Sequence, residues 1–90
     1  MADDLGQLPR VLIVSESRMQ RATLLNHLRG HYDHREEGDG EAGWQAVVLD
    51  HGIKAVICDW QMPVLDGYGL LARIRNSRLT RIRELPVVMV

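Results

Sequence analysis

Three short runs in this chain are apolar from end to end: Val11-Leu12-Ile13-Val14, Ala55-Val56-Ile57-Cys58 and Val87-Val88-Met89-Val90. None alternates with polar residues. A strand with one wet face alternates with a period of two, whereas a strand covered on both faces reads as a solid β-rich run. Helices packed on both sides of a parallel sheet create that environment, so these runs constrain everything between them. Pro86 stands at the start of the last run, where its missing N–H costs least.

The intervening segments carry helix signals. Ser17 and Gln20 have the spacing of a capping box, in which the serine side chain caps the helix and the glutamine side chain bonds back to the cap. Ala22, Leu24, Leu25 and Leu28 form an apolar stripe, and Gly30 suits the left-handed residue that closes a helix. The polar stretch from His31 to Glu37 is read as an edge strand, chiefly because the surrounding strand-helix pattern requires one there. Asp39-Gly40 supplies a turn and cap for a second helix, with Ala42, Ala46, Val47 and Leu49 facing a core and closure near Gly52. Asp66 can cap a third helix whose inner face carries Leu70, Leu71 and Ile74. The predicted architecture is an α/β open parallel sheet with flanking helices. Its ligand site belongs at the carboxyl ends of the strands, where Ser15, Glu16 and Asp59 fall.

Ninety residues support one domain, read as a polar leader over residues 1–8 and a folded unit over 9–90. A hydrophobic share of 46% with 26% charged residues lies well away from the disordered regime. The net charge of −1 gives no global field for nucleic acid or anionic lipid. The arginines at 73, 75, 78, 81 and 83 have no interleaved aromatics and are read as a solvated face, so nucleic-acid binding is not expected. Cys58 is the sole cysteine, which suits a reducing compartment and a cytoplasmic location. No secretory signal or membrane span is expected. His27, His31, His34 and His51 lack the companions of a four-ligand zinc site.

Two strands deliver acids to one rim, Glu16 after the first and Asp59 at the end of the third. Converging carboxylates repel, and a hard divalent cation with oxygen ligands relieves the repulsion. Mg2+ fits because it keeps several waters and needs few protein ligands. A carboxylate beside such an ion can attack phosphorus, giving an aspartyl phosphate by positioning and charge neutralisation.

The segment Val56-Ile57-Cys58-Asp59-Trp60-Gln61-Met62-Pro63-Val64-Leu65-Asp66-Gly67, with the apolar strand and acidic loop from Val11 to Glu16, resembles the receiver domain of two-component response regulators. The resemblance runs from about Pro9 to Val90. It implies a flavodoxin-like (CheY-like) fold in which Asp59 is the phosphoacceptor. Glu16, Asp59 and the backbone carbonyl of Gln61 would be ligands of Mg2+, and Pro63 and Gly67 would shape the loop and the start of the third helix. A histidine kinase or histidine phosphotransfer protein would be the donor, and an attached or partner output would be regulated. Trp60 would be either a partner contact or a plain surface aromatic.

Two departures stand out. Receivers usually carry two adjacent acids after the first strand, and here the first is Ser15, whose hydroxyl can reach the metal only through water. The family also continues past the fourth strand to a hydroxyl residue, a fifth strand ending in lysine and further helices, so the resemblance implies a receiver incomplete at its C-terminus. An unpaired fourth strand would favour a homodimer or strand-swapped association. The alternative reading of Ser15 is a degenerate receiver acting as a phosphorylation-independent interaction module. A phosphohydrolase is disfavoured, because such enzymes resemble one another in a second aspartate two residues after the nucleophile, where Gln61 stands. With no glycine-rich phosphate loop or nucleophile elbow either, independent enzymatic turnover is not expected.

Overall fold

A computed structural model describes residues 8–90; the leader expected over residues 1–8 lies outside the described residues except for Leu8, which is exposed. The elements follow in the order β1 (Arg10–Val14), α1 (Arg18–Leu28), β2 (Asp33–Glu37), α2 (Gly40–Leu49), β3 (Ile53–Cys58), α3 (Gly67–Arg75), α4 (Thr80–Arg83) and β4 (Val87–Met89). The sheet is parallel throughout, with strand order β2-β1-β3-β4. The predicted open parallel sheet is therefore the observed one, and the polar segment assigned to an edge does form the edge strand β2.

Register explains how the apolar runs are used. Leu12, Val14, Val56 and Cys58 face a main core built with Ala46 and Val47 of α2, Leu70 and Ile74 of α3, and Ile82 of α4. Val11 and Ile13, which alternate with them, are buried on the opposite face. Right-handed crossovers place α1 on that face and α2 and α3 on the other, since the chain steps from β1 to β2 in one direction and from β2 back to β3 in the reverse. The two faces are unequally covered. No residue of α1 is fully buried: Leu24, Leu25 and Leu28 are half-buried and Ala22 is exposed. On the same side Ile57 is half-buried and Val88 exposed.

Three sequence expectations are corrected. Leu49 does not face the core; it is 73% exposed at the last turn of α2, where Val47 already occupies the inward position. The basic run is only partly a solvated face. It contains the single turn α4, unforeseen because four residues are too few to show a periodicity, which buries Ile82 beside the buried Leu85. Arg81 turns inward, donating to the carbonyls of Val47 (3.0 Å) and Val48 (2.8 Å) at the end of α2, and Arg75 donates to those of Arg83 and Leu85. These carbonyls lack intrahelical partners, so guanidinium donors satisfy them. Third, only half of the capping box forms. Ser17 Oγ accepts the Gln20 N–H at 3.1 Å, but the Gln20 side chain turns away from the cap to Ser15.

Candidate functional site

The site lies where the crossovers part, at the carboxyl ends of β1 and β3. Helices leaving adjacent strands on opposite faces open a crevice there, and parallel sheets bind ligands in such crevices. Val14 pairs with Cys58, and the Asp59 N–H donates to the Val14 carbonyl at 2.9 Å, so the residues following both strands sit side by side. Ser15 is thereby buried next to Asp59, with 3.5 Å between Ser15 Oγ and Asp59 Oδ2. Asp59 Oδ1 accepts the Gln61 N–H at 3.1 Å, which fixes the carboxylate against the loop that follows.

That loop is held by its ends. The Gly67 N–H donates to the Trp60 carbonyl at 3.2 Å, and Asp66 caps α3 by accepting the Gly69 N–H at 2.8 Å. Gly67 is buried against the Asp59–Trp60 backbone so tightly that a β-carbon there would collide with the Asp59 carbonyl. Met62 points into the main core and anchors the middle of the loop. Glu16, Gln61 and Asp66 line one open depression, together with Trp60, Met62 and Tyr68. The Asp59 carboxylate sits beside this depression rather than in its lining, turned toward Ser15 and the Gln61 N–H.

Behind Asp59, Cys58 is fully buried with its Sγ 3.6 Å from Met89 Sδ. Burial pushes its thiol up to about 11, with the neighbouring Asp59 charge adding to the effect. It packs as a small apolar residue and is no nucleophile. Among the described residues, no cluster of three or more His, Cys, Asp or Glu side chains is placed to hold a metal ion. A cation at this site must therefore take backbone oxygen or water besides carboxylates. The Gln61 carbonyl accepts no hydrogen bond among the described residues, and neither does the exposed Glu16 side chain. Both residues line the depression, and a carboxylate with a free backbone carbonyl is a donor set whose chemistry fits Mg2+.

No family model matches the chain. It is 29% identical over 83 residues to the chemotaxis protein CheY1 of Helicobacter pylori, an alignment covering 90% of this chain and 65% of that protein. Among solved structures, a putative response regulator from Chloroflexus aurantiacus superposes with a TM-score of 0.84 at 33% identity, covering 92% of this chain and 66% of that one. The chain is homologous to response-regulator receiver domains. Its fold also matches the receiver domain of a sensor histidine kinase from Pseudomonas aeruginosa, described with a magnesium ion coordinated in its active-site cleft (TM-score 0.81, 23% identity, 91% of this chain and 66% of that one). The chain spans less than two thirds of the length of the curated relatives first matched.

Seen as a receiver, the chain has its sequence-predicted residues on two neighbouring loops. Ser15 and Asp59 are in direct proximity, while Glu16 and Gln61 share the depression alongside. Trp60 is 48% exposed at its rim. Sequence reasoning passed over two residues of α1. Gln20 bonds to Ser15, and Arg21 donates to the Ser15 carbonyl through Nη1 and to Glu36 of β2 through Nε. The glutamine was legible only as half of a capping box, and the arginine carried no motif.

Proposed function

We propose that this chain is the phosphoaccepting part of a receiver. Asp59 takes a phosphoryl group from a phosphohistidine on a histidine kinase or histidine phosphotransfer protein, in the presence of Mg2+, and thereby regulates an attached or partner output. The observation that carries this reading is the setting of Asp59: a carboxylate at the end of β3, pinned through Oδ1 by the Gln61 N–H, with Oδ2 left only a 3.5 Å contact among the described residues. An oxygen so held can attack in line without the carboxylate reorienting. The new bond runs from Asp59 to phosphorus as the phosphorus–nitrogen bond breaks, and its electron pair returns to the imidazole, which picks up a proton.

Glu16, Asp59 and the Gln61 carbonyl would hold the ion, with Ser15 reaching it through water. When bound, Mg2+ supplies positive charge that offsets the attacking carboxylate and the incoming phosphoryl oxygens. Met62 and Gly67 keep the loop in register, and Trp60 reports on the site from its rim. This is a stoichiometric acceptor without independent turnover.

The test is incubation with acetyl phosphate and Mg2+ followed by intact mass measurement. One added phosphoryl group is expected, absent in Asp59→Asn, and beryllofluoride should change Trp60 fluorescence. Labelling that persists in Asp59→Asn would overturn the assignment. So would a wild-type chain that takes no label and shows no fluorescence response.

A further inference from the structure

Ser15 Oγ has one proton and two lone pairs to share among three polar neighbours. Gln20 Oε1 lies at 2.6 Å, the Ser17 N–H donates from 3.1 Å, and Asp59 Oδ2 lies at 3.5 Å. Hydroxyl bonds to oxygen are strong at 2.5 to 3.0 Å and negligible near 3.6 Å, so the proton belongs to Gln20 rather than to Asp59. One lone pair takes the Ser17 N–H. The second lone pair is then left free, and the remaining polar neighbour is Asp59 Oδ2 at 3.5 Å.

Two acceptors therefore face each other across 3.5 Å, the hydroxyl oxygen and Asp59 Oδ2. Among the described residues, no other hydrogen bond reaches Asp59 Oδ2. Such a pair is mildly repulsive alone and becomes favourable when a group carrying protons or positive charge enters between them. Had Ser15 donated to Asp59 instead, it would neutralise part of the carboxylate and oppose a cation.

We propose that Gln20 is a positioning residue that sets the polarity of Ser15, holding the hydroxyl as an acceptor toward the site so that it receives a proton from the water shell of a divalent cation beside Asp59. This rests on the reading of Asp59, Glu16 and Gln61 as a cation site. It assigns to the pair Ser15 and Gln20 part of the work that a second carboxylate does elsewhere, without burying another charge. Gln20 touches neither phosphorus nor metal and acts only through Ser15.

The probe is Mn2+, a hard oxygen-preferring stand-in for Mg2+, counted as free ion by electron paramagnetic resonance, with Mg2+ as competitor. Wild type, Ser15→Ala, Gln20→Met and the double variant form a cycle. Losing one hydrogen bond to a bound water should weaken binding roughly three- to tenfold in either single variant, and Gln20→Met should add nothing once Ser15 is alanine. Additive losses, or a Gln20→Met protein that binds like wild type, would overturn the role of Gln20 while leaving the cation site standing. A wild-type chain with no saturable, Mg2+-competed binding would overturn the site itself, and the inference with it.

Discussion

Gly67 is where fold and chemistry press on the same atoms, and replacing it with alanine has calculable consequences. It is buried at the first position of α3, and its φ lies outside the left-handed region, so alanine is free to adopt the local backbone. The entire effect must then come from what the new methyl meets. Besides the Asp59 carbonyl, it would lie 2.8 Å from Trp60 Cα and 3.0 Å from the Asp59 carbonyl carbon, all backbone atoms. Carbon atoms prefer about 3.5 to 4.0 Å, so one side must give by roughly 0.5 to 1 Å. Neither side yields easily: α3 is locked by Leu70 and Ile74 in the core, and the Asp59 N–H is bonded to Val14.

Overpacking of this kind costs about 1 to 3 kcal/mol, partly offset by about 0.5 to 1 kcal/mol from removing a flexible glycine. The difference, a net loss of up to about 2.5 kcal/mol, should appear as a lower urea midpoint. The chemical loss should be larger, because the displaced peptide carries the Asp59 carboxylate and a shift of about 1 Å can cost on the order of a hundredfold in rate. Labelling by acetyl phosphate, followed by intact mass at a temperature where both proteins are folded, separates the two effects. Gly69→Ala is the control, since its methyl meets only side-chain atoms, the flexible end of Leu65 at 2.6 Å and the cap oxygen Asp66 Oδ1 at 3.3 Å, rather than backbone. It should stay within about 0.5 kcal/mol of wild type and label normally. The reasoning fails if Gly67→Ala keeps wild-type midpoint and rate, or if Gly69→Ala is equally damaged.

Two other perturbations follow from the same loop and strand. Val64 adopts φ 70° while 85% exposed, a left-handed conformation that a β-branched residue resists; Val64→Asn should gain about 1 kcal/mol in denaturant unfolding, and a loss would refute the strain. The Cys58 thiol is raised from 9.0 to about 11, so its burial is without penalty below pH 9 and becomes destabilising as pH rises toward 11. Since one unit corresponds to about 1.4 kcal/mol, the wild type should lose on the order of 2 kcal/mol more than Cys58→Ala between about pH 9 and about pH 11, a comparison in which the tyrosines cancel. Parallel alkaline stability profiles for the two proteins would contradict the shift.

What the sequence disclosed follows from how many residues carried each signal. Val11 to Val14 is a solid run because both faces of β1 are buried, and Ala55 to Cys58 because β3 is buried on one face and half-covered on the other, so their place in the sheet was readable from the residue pattern alone. The Asp59 to Gly67 segment was readable because the loop returns to touch its own strand, which requires Gly67 and a cap at Asp66. By contrast α4 has a single turn, and Leu49 sits at a helix end where the apolar stripe runs past the sheet. Arg81 looked solvated because nothing local shows that two α2 carbonyls lie within its reach. Gln20 was misdirected for a related reason: the capping-box spacing is satisfied locally, and only the fold reveals that Ser15 offers a competing proton.

Ser15 also changes how far the fold depends on an ion. The residue is fully buried, and its hydroxyl lies 3.5 Å from the Asp59 carboxylate. An aspartate there would set two negative charges about 4 Å apart, a repulsion on the order of 4 kcal/mol at an effective dielectric constant near 20. Such a variant should bind Mg2+ more tightly, because the ion relieves that repulsion, and for the same reason should be less stable without it. Thermal melts of wild type and Ser15→Asp, each in chelator and in excess Mg2+, test both halves at once. The variant should melt lower in chelator and gain more from Mg2+, since a ligand stabilises in proportion to its preference for the folded state. If Ser15→Asp gains no more from Mg2+ than wild type does, the buried end of β1 does not face the cation, and the electrostatic account of this site is wrong.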